Sequence, residues 1–474
     1  MGRTILPIGA ALCTIVISWV YAAYALPAGP FMALAAAGAA AAAYMAINIG
    51  ANDVANNMGP AVGAKALKMG TALLIAATFD AAGAITAGQG VIKTVSQDLL
   101  TSDIALNGQT LIIVMVAATL AGALWVNAST FVGAPVSTTH AIVGGVVGAG
   151  IAAAGLGAVD WRSVGIIAVS WTLSPLLGGL LAAAFHTLIR RQITRRSDKL
   201  EAARTWVPIL IGVMTGTFAT YLDLLFQRGV PAGTSAAIGV GAGLVAYFLA
   251  IPWVRRRAGG MENRKKEIAK LFRPPLIGAA ALLSFAHGAN DVANAVGPLA
   301  AILRIATANG SDSTAALPFW ALLVGALGLA VGIVCFGPRV IHTIGEQITK
   351  LNEIRAFCVA LAAAITVLAA SAFGLPISST HVAVGAVFGV GFLREYLAIR
   401  NMHGAAIALG PDQTDPATLN DTPEQALARE RRGERRFLVR RLKVARIGAA
   451  WLVTLPASAV LAGLIYLLLR ALAG

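Results

Sequence analysis

Charge is scarce in this chain. Of its 474 residues only 12% are Asp, Glu, Lys or Arg, against roughly 25% in an ordinary soluble domain. Four stretches, 4–52, 104–159, 229–254 and 356–393, hold none at all. A membrane-crossing helix needs about 20 apolar residues, so each stretch is long enough to cross, and a soluble globular fold is excluded. Cysteine is scarce as well. Cys13, Cys335 and Cys358 are odd in number, sit in apolar runs and lack metal-ligand spacing. That excludes a disulfide framework or a zinc site and leaves them as small packing residues.

What is present is apolar, small and basic. Hydrophobic residues make up 58% of the chain, and the mean hydropathy is +0.77. The 51 glycines and abundant alanine suit close helix packing in lipid. The net charge of +15 comes from basic residues clustered between apolar spans, as in cytoplasmic loops, so no nucleic-acid partner is implied. Residues 1–27 resemble a signal peptide at first sight. The run from Thr4 to Leu26 is long enough to span and is expected to remain as a first helix.

The chain repeats itself. "GANDVAN" stands at 50–56 and again at 288–294. "GAPVSTTHAIVGGVVGAG" at 133–150 returns as "GLPISSTHVAVGAVFGVG" at 374–391. A fainter pair begins at Trp171 and Trp451. Elements in one order at matched intervals indicate duplication. If the basic segments near Arg190, Arg255 and Arg429 are cytoplasmic, the first unit begins outside and the second inside. Inverted units with interrupted helices are a mark of secondary transporters, with the site near the midplane between them. The expected fold is therefore an all-α polytopic membrane protein with two inverted-topology repeats, interrupted helices and Pro-broken helical hairpins. Its expected parts are an extra N-terminal helix (1–29), a first repeat (30–191), basic loops with two linking helices (192–273), and a second repeat (274–472) carrying a cytoplasmic polar loop (397–446).

Two motifs carry chemistry. In Gly-Ala-Asn-Asp, glycine lets the backbone leave helical geometry, while Asn and Asp cap a helix that restarts. A carboxylate at such depth costs about 3 kcal/mol on insertion scales, so Asp53 and Asp291 need a partner. No Lys or Arg lies in the adjoining apolar runs before Lys65 and Arg304. A mobile cation fits, with Asn52, Asn56, Asn290 and Asn294 completing its shell; alternatively the capping carboxyl is itself a proton site. In Pro-Val-Ser-Thr-Thr-His and Pro-Ile-Ser-Ser-Thr-His, proline stops one helix and hydroxyl residues cap the next. A helix start gathers N–H groups and partial positive charge. Ser137, Thr138 and Thr139, mirrored by Ser378, Ser379 and Thr380, add donors for a tetrahedral oxyanion. Asp80, in "ATFDAAGA", faces no acidic residue 238 positions on, where the sequence reads "LPFW"; it is a candidate second cation or proton group. His140 and His381 close the hydroxyl runs and His287 precedes the second Gly-Ala-Asn-Asp. Each is either a hydrogen-bonded packing residue or part of the site.

The duplicated GANDVAN and the duplicated Pro-x-Ser-[Ser/Thr]-Thr-His resemble the signatures of the inorganic phosphate transporter (PiT) family, and "PRVIHTIGEQITKLNEIRAF" at 338–357 is similar to a family segment. The resemblance covers both repeats. It implies a multi-pass cell-membrane transporter that moves inorganic phosphate with Na⁺ or H⁺, needs no other cofactor, and is often a homodimer. On that likeness phosphate binding falls on the six hydroxyl residues above, and cation binding on the Asn and Asp residues of the two GANDVAN copies. Asp80 falls where many relatives carry the longer Glu. The wider family also resembles sulfate permeases, so a sulfate or other oxyanion permease is the alternative. A membrane enzyme acting on a phosphorylated lipid, or a channel or sensor, would be a different class.

Overall fold

The computed structural model describes residues 2–101, 107–134, 136–227, 231–307, 317–345, 351–409 and 441–473. Among the described residues the regular secondary structure is helical apart from one isolated bridge between Leu100 and Val159, and twelve helices are long and apolar enough to cross a membrane. The physical reason is the one already visible in the composition: long charge-free runs must satisfy their backbone internally in lipid, and helices do so.

Helix α1 (Gly2–Ala25) leads into α2 (Met32–Gly63), α3 (Met69–Ala87), the short α4 (Gln89–Gln97), α5 (Gly108–Phe131), α6 (Thr138–Ala154) and α7 (Trp161–Ile189). A linking pair follows, α8 (Lys199–Phe226) packed on α9 (Ala232–Ala258), then the short α10 (Lys265–Leu271). The remaining helices are α11 (Arg273–Asp291), α12 (Ala293–Thr307), α13 (Phe319–Gly345), α14 (Glu353–Ala372), α15 (Ser379–Leu409) and α16 (Arg441–Ala473). Leu6, Leu180, Phe248 and Leu464, on α1, α7, α9 and α16, are exposed, which gives these helices apolar outer faces suited to lipid. The polar segment 397–446 is not loop at its ends. Helix α15 continues through residues rich in Ala and Leu, good helix formers, and α16 starts at Arg441. Residues 410–440 lie outside the described residues.

The first GANDVAN does not interrupt its helix. Helix α2 runs unbroken through Gly50–Asn56, and only the second copy holds a break, a single residue at Val292 between α11 and α12. The motif glycines serve another purpose. A side chain at Gly50 would collide with the backbone carbonyl of Leu329 on α13, and one at Gly288 with that of Asp80 on α3. They allow α2 to lie against α13 and α11 against α3, so the motif helix of each repeat packs on a helix of the other. The same exchange occurs beyond the hairpins, where α6 packs on α16 and α15 on α7.

The two hairpin corners are built alike. Helices α5 and α14 end in left-handed glycines, Gly133 (φ 71) and Gly374 (φ 68), a conformation that costs glycine nothing. In each corner the N–H of the glycine and of the next residue turns back to carbonyls of the last helical turn: Gly133 to Thr130 and Ala134 to Ser129, Gly374 to Ser371 and Leu375 to Ala370. This is the double-bonded helix ending of a Schellman turn. The helix then restarts on a serine cap. Ser137 Oγ accepts from His140 N at 3.1 Å, and Ser378 Oγ from His381 N at 3.2 Å. Pro376 stands in the second corner; Pro135, its partner in the first, lies outside the described residues.

Candidate functional site

The two corners meet the two GANDVAN segments at one buried centre. Asp53, Asp291, Asp80 and His287 are all 0% exposed. Asp53 Oδ2 accepts from Thr138 Oγ1 at 3.1 Å, within its own repeat, and Asp53 Oδ1 accepts from Thr380 Oγ1 at 3.0 Å, from the other. Asp291 Oδ2 accepts from Ser379 Oγ at 2.5 Å. Asn56 donates to Thr380 Oγ1 at 2.9 Å and to Asp53 Oδ1 at 3.3 Å. Asn294 donates to Thr138 Oγ1 at 3.3 Å and Thr139 Oγ1 at 3.1 Å. Each corner also holds the other directly: Thr139 Oγ1 donates to the Ile377 carbonyl at 3.0 Å, and Thr380 Oγ1 lies 3.5 Å from that of Val136.

Asn52 and Asn290 sit at the rim. Asn52 donates to Thr130 Oγ1 at 2.8 Å, and Asn290 to Ser371 Oγ at 3.0 Å and to the Leu375 carbonyl at 3.1 Å. Sequence reading missed Thr130 and Ser371, although they stand at matching places in the repeat, seven residues before Ser137 and Ser378. Beside each pair is a cavity. One of about 180 Å³ is lined by Asn52, Thr130 and Arg339 among others; one of about 300 Å³ is lined by Ser371, Tyr221 and Gln89 among others.

His287 joins the carboxylates, whereas His140 and His381 do not. His287 Nδ1 lies 2.6 Å from Asp80 Oδ1, and its Nε2 lies 2.9 Å from Asp291 Oδ2 and 3.6 Å from Asp53 Oδ2. His140 and His381 instead form a row of ring contacts between the two tryptophans of the faint third repeat. The ring centroids run Trp171 to His140 at 3.9 Å, His140 to His381 at 4.6 Å and His381 to Trp451 at 3.7 Å. Trp171 Nε1 further donates to the Pro376 carbonyl at 3.1 Å. Neither tryptophan was among the expected site residues.

Asp80 has a different counterpart from the one its spacing suggests. The carbonyl over Gly288 belongs to Asp80 and the carbonyl over Gly50 belongs to Leu329, so α3 and α13 correspond at an offset of 249, not 238. The segment between the GANDVAN helix and its successor is longer in the second unit, and it shifts the register. The absence of a second acid holds. Where one half pairs Asp80 with His287, the other has Leu329 and Ile49, both buried and apolar.

The centre is rich in acceptors without donors. Asp291 Oδ1, Asp80 Oδ2 and the amide oxygens of Asn52, Asn290 and Asn294 are buried with no hydrogen-bond partner. Donor atoms of Asp53, His287 and Asp291 lie within 4.8 Å of one another, a set that could hold a metal ion. Buried oxygens of this kind are costly unless something positive meets them, and they suit a hard cation such as Na⁺ in ligand type. Helix starts carrying hydroxyls adjoin them, and these suit an anion.

Comparison with known proteins agrees with this chemistry. Residues 49–462 match the model of the phosphate transporter family. The chain belongs to the phosphate transporter family. A Helicobacter pylori relative named "Putative phosphate permease" is 43% identical over 468 residues, covering 90% of this chain and 88% of its own. A permease of the same description from Thermococcus kodakarensis is 39% identical over 358 residues, covering 75% of this chain and 87% of its own. A solved structure, "The sodium-dependent phosphate transporter", superposes with a TM-score of 0.78 at 31% identity, covering 92% of this chain and 99% of the other. Membership makes this a multi-pass membrane transporter of phosphate, as the resemblance in sequence implied, and sets aside the reading as an enzyme on a phosphorylated lipid.

Proposed function

We propose that the chain imports inorganic phosphate across the cell membrane by symport with a cation, Na⁺ or H⁺, through alternating access about the buried centre. Ser137, Thr138, Thr139, Ser378, Ser379 and Thr380 serve the anion. Asn52, Asp53, Asn56, Asn290, Asp291 and Asn294 serve the cation, with Asp80 and His287 attached to that set. The observation that carries this reading is the convergence on Asp53 of one hydroxyl from each corner, Thr138 and Thr380. It brings both anion-type helix starts to the same buried acid. Phosphate cannot enter low dielectric beside carboxylates unaccompanied; a cation between them balances the charge. The two cavities, one at Thr130 and one at Ser371, support access from two directions, and the exchanged packing of the repeats supports two units working about one site. The name of the structural neighbour favours sodium, and the Asp80–His287 pair offers a proton site.

The deciding experiment is phosphate uptake into proteoliposomes, with sodium replaced by choline, at an acidic and an alkaline external pH. Accumulation against a gradient that follows one of the two cations is expected. Uptake that never exceeds equilibrium would overturn symport, and stronger inhibition by unlabelled sulfate than by unlabelled phosphate would reassign the anion.

A further inference from the structure

We propose that Thr138, Ser379 and Thr380 are the coupling elements between cation and anion: the carboxylates hold their hydroxyl protons away from phosphate until a cation takes the carboxylates over. This rests on the symport reading above and adds how the two substrates communicate.

A hydroxyl carries one proton. In Thr138, Thr380 and Ser379 that proton is directed at Asp53 Oδ2, Asp53 Oδ1 and Asp291 Oδ2. For the two threonines the direction is fixed from behind. Asn294 Nδ2 donates into Thr138 Oγ1 and Asn56 Nδ2 donates into Thr380 Oγ1, and an amide N–H can only donate. Each chain therefore runs amide to hydroxyl to carboxylate. A hydroxyl held this way turns lone pairs, not its proton, toward an arriving oxyanion. Thr139, which donates to a backbone carbonyl, is not tied to an acid.

Turning a hydroxyl toward phosphate would take a donor away from a buried carboxylate oxygen, which is expensive. A cation on the carboxylate removes that expense, since it satisfies the same lone pairs. The freed hydroxyls then donate to the anion in charge-assisted bonds, the stronger class. Binding of each substrate thus favours the other by the same factor, as linkage requires. Simple attraction between cation and phosphate would also produce coupling. The two contributions separate when a hydroxyl is deleted, because the attraction survives deletion and the proton hand-over does not.

The test is equilibrium binding of radiolabelled inorganic phosphate to the purified full-length protein, in sodium and in choline, each at acidic and alkaline pH. The medium in which wild type binds most tightly identifies the coupling cation. In that medium Ser379→Ala should weaken phosphate binding about tenfold, the order expected for one charge-assisted donor. In alkaline choline the loss should be much smaller, because there the carboxylate keeps the hydroxyl proton from phosphate in wild type as well. Ser379→Thr should restore the cation-dependent gain. An equal loss in both media would show that the hydroxyl is an ordinary phosphate ligand and would overturn the hand-over while leaving symport standing. Wild type that binds phosphate equally in all four media would overturn symport coupling itself. A size-exclusion profile matching wild type shows that Ser379→Ala is folded, and Thr138→Val gives a second measurement on the Asp53 side with the same expected signature.

Discussion

Asp53 accepts hydrogen bonds from threonines 85 and 327 residues away, and its place among them sets what a single substitution should do. Asp53→Asn keeps the shape but removes the charge a cation needs. Cation-driven accumulation should be lost in it and in Asp291→Asn, with both proteins still present in the membrane; accumulation at wild-type level in either would refute the role given to that acid. Thr139→Ala should act differently, since Thr139 is tied to a carbonyl: phosphate half-saturation should rise about tenfold whichever cation is present, measured by initial uptake rates. At this scale the sequence was informative where residue type alone dictates chemistry. Paired aspartates in lipid and tandem hydroxyls behind proline have few other uses. It left His287 open between packing and site, because an imidazole's role depends on what stands across from it. Asp80 is 207 residues away, on a helix whose register with the repeat shifts in an intervening segment.

Helices and their ends carry the next set of consequences. The corner glycines hold a left-handed conformation that a side chain resists by roughly 1–2 kcal/mol, so Gly133→Ala should lower thermal stability in detergent measurably, and Gly374→Ala equally. Gly50→Val should do more. A side chain there meets the Leu329 carbonyl, backbone that cannot step aside, and α2 would be driven off α13; loss of monodisperse protein on size exclusion is the expected readout. At the exposed start of α7, Asp160 accepts from the N–H groups of Ser163 and Arg162, and the Ser163 bond foremost holds its carboxyl below the ordinary value. Its capping contribution is thus present above the unfolded value and is lost as pH falls through the lowered folded one. Asp160→Asn, still a capping residue, should flatten that dependence in melts taken across acid pH. Helix positions were readable from charge-free runs and caps. The unbroken course of α2 was not, because glycine serves both helix breaks and close helix approach, and only the neighbouring helix tells which.

For the whole molecule, the repeat predicted a shared site, and both corners do reach one acid, Asp53. What the sequence could not supply was the exchange of partners, α2 with α13 and α6 with α16, since spacing along a chain says nothing about which apolar face meets which. The cavities at Thr130 and Ser371 give a prediction at this scale. In a background with Cys13, Cys335 and Cys358 replaced, Thr130→Cys and Ser371→Cys should react with a membrane-impermeant thiol reagent from opposite sides, with phosphate plus cation slowing both. Reaction of both from one side would overturn the two-entrance reading. The unequal pairing of Asp80 with His287 against Leu329 with Ile49 has a further bearing. Under the alternating access proposed above, a perfectly duplicated carrier would have its two open states related by a twofold rotation and equal in energy. An imidazole bridge present on one side only lifts that degeneracy, so the proposed cycle would idle with one door favoured over the other.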